Sequence, residues 1–119
     1  MKFAEIIKSP ETEGREKHTP VIEIDRAHGK TGTDIVRIII GKEVAHPNTV
    51  EHHIVWAELF GVKKDGHVIS LGRTDFTPTY TKPVINIRLD VSIDEFKAFG
   101  ALACCNVHGL WENMLEVQG

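Results

Sequence analysis

The sequence predicts an all-β fold, an antiparallel β-sandwich, and three observations carry that prediction. Short runs rich in Val, Ile, Phe and Trp recur along the chain. Turn residues separate them, among them an Asp-Gly pair between two apolar runs. The count is about seven short strands, with no internal repeat and no low-complexity tract. A small Greek-key barrel is the other architecture compatible with this pattern.

Taken in order, Phe3, Ala4, Ile6 and Ile7 have helical spacing, and Ser9-Pro10 stops it. Residues 2–8 therefore read as a short amphipathic helix covering one edge or end of the domain. Residues 9–17 form a polar loop, and His18-Thr19-Pro20 leads into a first strand at Val21-Ile22-Glu23-Ile24. Residues 26–33 are a turn-rich connection holding a solvated His28, followed by a β-branched strand from Asp34 to Ile40 that ends at Gly41. Pro47 and Asn48 demand a turn or an extended loop, after which residues 53–60 continue as a strand. Lys63-Lys64-Asp65-Gly66-His67 is a hairpin turn, with His67 facing solvent. Val68 to Leu71 and Arg73 to Phe76 pair onward, interrupted at Gly72. Pro78 and Pro83 bracket a loop, and Val84 to Val91 alternates with Ile85, Ile87, Leu89 and Val91 toward one side. Ser92-Ile93-Asp94-Glu95 has the spacing of a capping box and predicts one helical turn through Lys97. Phe99 to Cys105 and Leu110 to Val117 complete the strands.

A chain of 119 residues makes one domain, residues 1–119, with room for a genuine core. A formal net charge of −3 and the lack of any Lys/Arg-rich run argue against nucleic acid as a partner. No apolar run approaches the length of a membrane span, and the first eight residues carry charges where a signal peptide is apolar. Cys104 and Cys105 are adjacent, which disfavours an ordinary disulfide between them. Both read as reduced thiols, and the protein as cytoplasmic.

The chemistry concentrates in Cys104-Cys105-Asn106-Val107-His108-Gly109-Leu110-Trp111. A thiolate and an imidazole three residues apart, followed by glycine, make a strand-to-loop corner able to hold one metal ion. The pair alone is weak, since zinc, iron and copper all use it. His18, His46, His52 and His53 strengthen it, because they sit in short segments rich in Pro, Asn and other turn residues. A single histidine is as readily a core or surface side chain, but the clustering of several beside turn residues is harder to explain that way. Side chains of neighbours on an extended segment point to opposite faces, so His52 and His53 should not share one ion. If His18, His46, His52 and His108 supply imidazoles and Cys105 a thiolate, one site receives five protein ligands. Zinc prefers fewer, and four nitrogens with one electron-rich sulfur suit iron better.

Three segments resemble one family. Glu16-Lys17-His18-Thr19-Pro20-Val21-Ile22-Glu23, Gly41 to Ile54 and Cys105 to Glu112 are similar, in this order, to superoxide reductases of the neelaredoxin and desulfoferrodoxin family. The resemblance spans essentially the whole chain. It implies an immunoglobulin-like β-sandwich and one non-haem iron per chain (Fe2+/Fe3+), with His18, His46, His52 and His108 equatorial and Cys105 axial. It also implies that Glu16 can occupy the sixth position in the oxidised state and that Lys17 attracts superoxide and assists catalysis. An external donor, a rubredoxin-like protein, and a homo-oligomer, a tetramer, belong to the same implication. Desulfoferrodoxins carry a further N-terminal domain with four cysteines; the short tail here resembles the one-iron form. Relatives usually have an aromatic residue where Cys104 stands, and by alternation Cys104 should point into the core. The stretch Thr74 to Pro83 is shorter than the family's corresponding loop.

Two other classes fit part of the pattern. Cys105, His108 and Met114 come in the order of a blue-copper loop, with His46 upstream, which would make a cupredoxin-like electron carrier. That reading leaves His18 and His52 without a role, and Met114 on a strand is more readily core filler. A non-catalytic β-sandwich module would show no stoichiometric metal and no response to chelators.

Overall fold

The computed structural model describes residues 1–10, 18–26 and 32–118. Among them the elements are a one-turn helix α1 (Phe3–Ile6) and seven strands. The strands are β1 (Val21–Asp25), β2 (Ile35–Ile39), β3 (Ile54–Lys63), β4 (Val68–Asp75), β5 (Val84–Arg88), β6 (Phe96–Cys105) and β7 (Gly109–Glu116). They form two antiparallel sheets, ordered β1-β2-β5 and β4-β3-β6-β7. No strand pairing joins one sheet to the other among the described residues, so the architecture is a sandwich and not a closed barrel.

Alternation builds the core between the sheets. On β2, Val36 and Ile38 are fully buried, and Ile22 and Ile85 join them from the flanking strands. Ala57 and Leu59 on β3, with Phe99, Ala101, Ala103 and Cys105 on β6, face them from the other sheet. Burying side chains the size of Phe99, Ile38 and Leu59 contributes about 1.5–3 kcal/mol each. Within the larger sheet, Asp65 and Gly66 turn the β3–β4 hairpin, closed by a bond from the Lys63 N–H to the His67 carbonyl at 2.8 Å. The expected interruption at Gly72 is a bulge within one continuous strand: Leu59 faces Gly72 while Phe60 faces Ser70. A Cβ on Gly72 would lie 2.8 Å from Ile87 Cδ1, so glycine allows the two sheets to meet there.

Four expectations are corrected. The N-terminal helix covers only residues 3–6, and Phe3 and Ile6 are exposed. A single turn cannot bury an apolar stripe, and the anchoring is done by the backbone instead. Ile7 turns extended, and Lys8 makes a parallel bridge to Trp111 on the β7 edge, with N–H···O bonds of 3.1 and 2.8 Å to Leu110 and from Glu112. Val91 is exposed, because β5 ends at Arg88 before the alternation reaches it. Ser92 caps a three-residue 3-10 turn (Ile93–Glu95) through Asp94 N, not a full capping box, and Phe96 already begins β6. Cys104 is half-buried on the outward face of β6, and it is Cys105 that shares the inner face with Phe99, Ala101 and Ala103.

Candidate metal centre

Strand registers gather the chemistry-bearing residues at one end of the sandwich. Val21, opening β1, pairs with Ile39, closing β2; Ile54, opening β3, pairs with Cys105, closing β6; Cys105 in turn pairs with Gly109, opening β7. His18 therefore enters just ahead of β1, His46 and His52 lie on the β2–β3 connection, and His108 lies in the β6–β7 turn. Gly41 makes the β2–β3 connection possible. Its φ is 78°, and a Cβ there would sit 2.6 Å from the His46 backbone nitrogen. The residues from Thr49 to His52 form a closed turn, with N–H···O bonds of 2.9 and 3.2 Å in both directions.

The four imidazoles make a closed ring of rings. Successive centroids are 4.6 Å apart for His18–His46, 4.8 Å for His46–His52, 5.0 Å for His52–His108 and 4.8 Å for His108–His18. Across the ring His18 and His52 stand 6.3 Å apart. Neighbouring planes are turned by 62–80° to one another, and the opposed pair by only 31°. Donor atoms of His18, His52, Cys105 and His108 all lie within 4.8 Å of one another. His46 is outside that tighter set, although its ring completes the circle and is buried.

This donor set fits one metal ion. Two nitrogens at right angles and about 2.1 Å from an ion stand about 3.0 Å apart. His18 Nε2 and His108 Nδ1 are 3.0 Å apart. Cys105 is 1% exposed, and its Sγ is 3.9 Å from the same His108 nitrogen. A thiolate about 2.3 Å from the ion would stand about 3.1 Å from it, so the sulfur would close by under about 1 Å. The His108 backbone N–H points to that sulfur at 3.4 Å. His108 thus offers Nδ1, whereas His46 commits Nδ1 to the Pro47 carbonyl at 2.7 Å, which leaves Nε2 as the nitrogen it could offer.

Around the donors stand residues that sequence reasoning left unassigned. Trp111, buried, stacks on His18 with centroids 4.6 Å apart and planes 9° apart. Lys8 lies 5.3 Å from the Trp111 ring and donates from Nζ to the His108 carbonyl at 3.1 Å. The Trp111 position was visible in the motif; its partner was not, because the stack joins residues 93 apart in sequence. His53 is turned away from the cluster, its Nδ1 3.0 Å from the Thr49 carbonyl. Met114 is 54% exposed on β7 and covers Gly100 on the outer face of the sheet, so it supplies neither core filling nor an axial sulfur. Burial, and then the neighbouring Cys105, push the Cys104 thiol above its ordinary range, so it stays protonated at neutral pH. His67 is exposed beside Asp65. Glu16, Lys17 and His28 lie outside the described residues.

The desulfoferrodoxin family model matches residues 10–114, which include His18, His46, His52, Cys105 and His108. The chain belongs to the desulfoferrodoxin family. It is 43% identical over 117 residues to a superoxide reductase of Pyrococcus abyssi, covering 94% of this chain and 96% of that protein. A superoxide reductase solved in the oxidised state superposes with a TM-score of 0.84 at 35% identity, over 98% of this chain and all of that one. The superoxide reductase (neelaredoxin) of Ignicoccus hospitalis gives 0.82 at 32% identity, over 99% and 98%. No helix among the described residues is long and apolar enough to cross a membrane.

Proposed function

We propose that this chain is a superoxide reductase, a single domain over residues 1–119 that holds one iron through His18, His46, His52, His108 and Cys105. The observation that carries the reading is the closed ring of four imidazoles with a buried cysteine sulfur beside it. Iron held by these residues would supply the one electron that, with two protons, turns superoxide into hydrogen peroxide. The protein's part is to hold the donors and tune them. The Pro47 carbonyl fixes the ring of His46 and the proton on its Nδ1. The Trp111 indole locks the plane of His18. The Cys105 thiolate pushes charge toward the centre and favours the oxidised product, and the N–H of His108 moderates that push.

Lys17, beside His18 in sequence, would draw the anion in, and the Glu16 carboxylate would be a further ligand available to the oxidised iron. A rubredoxin-like protein returns the electron, the chain works as a homo-oligomer, a tetramer, and the compartment is the cytoplasm. The cupredoxin-like reading loses its axial sulfur with the exposed Met114. Metal analysis with electron paramagnetic resonance tests the proposal. One iron per chain with a high-spin ferric signal is expected; stoichiometric copper, or no bound metal, would refute it.

A further inference from the structure

We propose that Asn106 is a positioning residue of the metal centre, the clamp that sets the His52 loop against the Cys105 corner. The regular ladder between β3 and β6 ends with Ile54 opposite Cys105. Beyond it, each chain carries a donor and must turn away from its neighbour. Asn106 carries the join one step further with three bonds. Its backbone N–H donates to the His53 carbonyl at 3.1 Å. Its side-chain Oδ1 accepts from the His53 N–H at 2.9 Å, and its Nδ2 donates to the Glu51 carbonyl at 3.0 Å. The amide therefore grips the residues on both sides of His52 and does the work of a missing strand rung.

His52 itself is tied into its own turn through Thr49, with backbone bonds of 2.9 and 3.2 Å. That turn is closed on itself by these bonds, and the Asn106 fork is what ties it to the Cys105 corner. The fork uses both halves of the amide, one as acceptor and one as donor, which is why an asparagine suits this corner and neither aspartate nor alanine does. Asn106 touches no reacting atom. It acts through the distance between an imidazole donor and the thiolate, and groups that orient ligands in this way typically govern metal affinity by 10- to 100-fold.

The inference rests on the reading of this cluster as a metal site, and cobalt(II) tests it without superoxide chemistry. Metal-free native, Asn106→Ala and Asn106→Asp proteins are titrated with cobalt(II) under anaerobic conditions, following affinity and the thiolate-to-cobalt absorption band. Melting of each metal-free protein is measured alongside. Asn106→Ala should melt within a few degrees of native, bind about 10- to 100-fold more weakly, and show a weakened or shifted thiolate band. Asn106→Asp keeps the acceptor for the His53 N–H but sets an oxygen against the Glu51 carbonyl, so it should fall between the two. Should Asn106→Ala fail to fold, the aspartate variant's affinity and band carry the comparison. Native affinity and an unchanged band in a folded variant would overturn the clamp and leave the metal site standing. A native protein that binds no cobalt would overturn both.

Discussion

His52 and His53 are adjacent and chemically identical but have different surroundings, so on the proposed ligand set replacing each by alanine should separate ligation from support. His52→Ala removes a donor that lies within 4.8 Å of the His18, Cys105 and His108 donor atoms. His53→Ala removes one bond, from its Nδ1 to the Thr49 carbonyl at 3.0 Å, at a partly exposed position. Such a bond is worth about 0.5–1.5 kcal/mol net. Even if all of it were transmitted to the centre, metal affinity would fall by no more than about 10-fold. Loss of the His52 nitrogen should exceed the roughly 100-fold that marks the upper end for residues acting only through a ligand. Competition of each purified variant against a chelator of known affinity reads both values. Equal losses in the two variants would refute the assignment of one as ligand and the other as support.

The cysteine pair makes the same kind of test: Cys105→Ser should lose the thiolate-to-metal absorption and most activity, while Cys104→Ser keeps both. Cys104, protonated and facing outward, should also react only slowly with a thiol-alkylating reagent at neutral pH, read by mass spectrometry. Glu16→Ala should leave metal content and peroxide formation largely intact but open the oxidised centre to azide or cyanide, measured by optical titration. Lys17→Ala should slow reaction with superoxide. An ammonium ~6 Å from the incoming anion contributes roughly 0.7 kcal/mol at the dielectric of water and ~2.8 kcal/mol at an effective value near 20. That corresponds to about a threefold to hundredfold change in rate, with a flatter dependence on salt in the variant, readable by pulse radiolysis.

Much of the fold was legible because alternation and turn chemistry are local. Val36 and Ile38 announce their burial by spacing alone, and Asp65-Gly66 announces its hairpin. The errors have physical causes of the opposite kind. Val91 continues a pattern that the strand itself does not, since β5 leaves its ladder at Arg88. The inward face of β6 is chosen by packing against the other sheet, so alternation ordered Cys104 and Cys105 relative to each other but not relative to the core. At the site, residue type and spacing pointed to residues that the structure gathers, His18, His52, Cys105 and His108 among them, because histidine and cysteine beside turn residues are chemically distinctive. Which ring nitrogen each histidine offers was not legible. That depends on contacts such as the Pro47 carbonyl on His46 and the turn that brings His108 Nδ1 to His18. Trp111 over His18 and Lys8 over Trp111 were likewise hidden, since both join the N-terminal segment to the last strand.

The central claim is that this chain reduces superoxide and does not dismutate it, and the stoichiometry of a single turnover separates the two. Iron-loaded, fully reduced protein in excess is mixed with a measured amount of superoxide, and hydrogen peroxide and dioxygen are both quantified. A reductase yields one peroxide for each superoxide consumed, releases no dioxygen and leaves one oxidised centre per event. Half a peroxide per superoxide with matching dioxygen, or centres that remain reduced while superoxide decays at its spontaneous rate, would contradict the account.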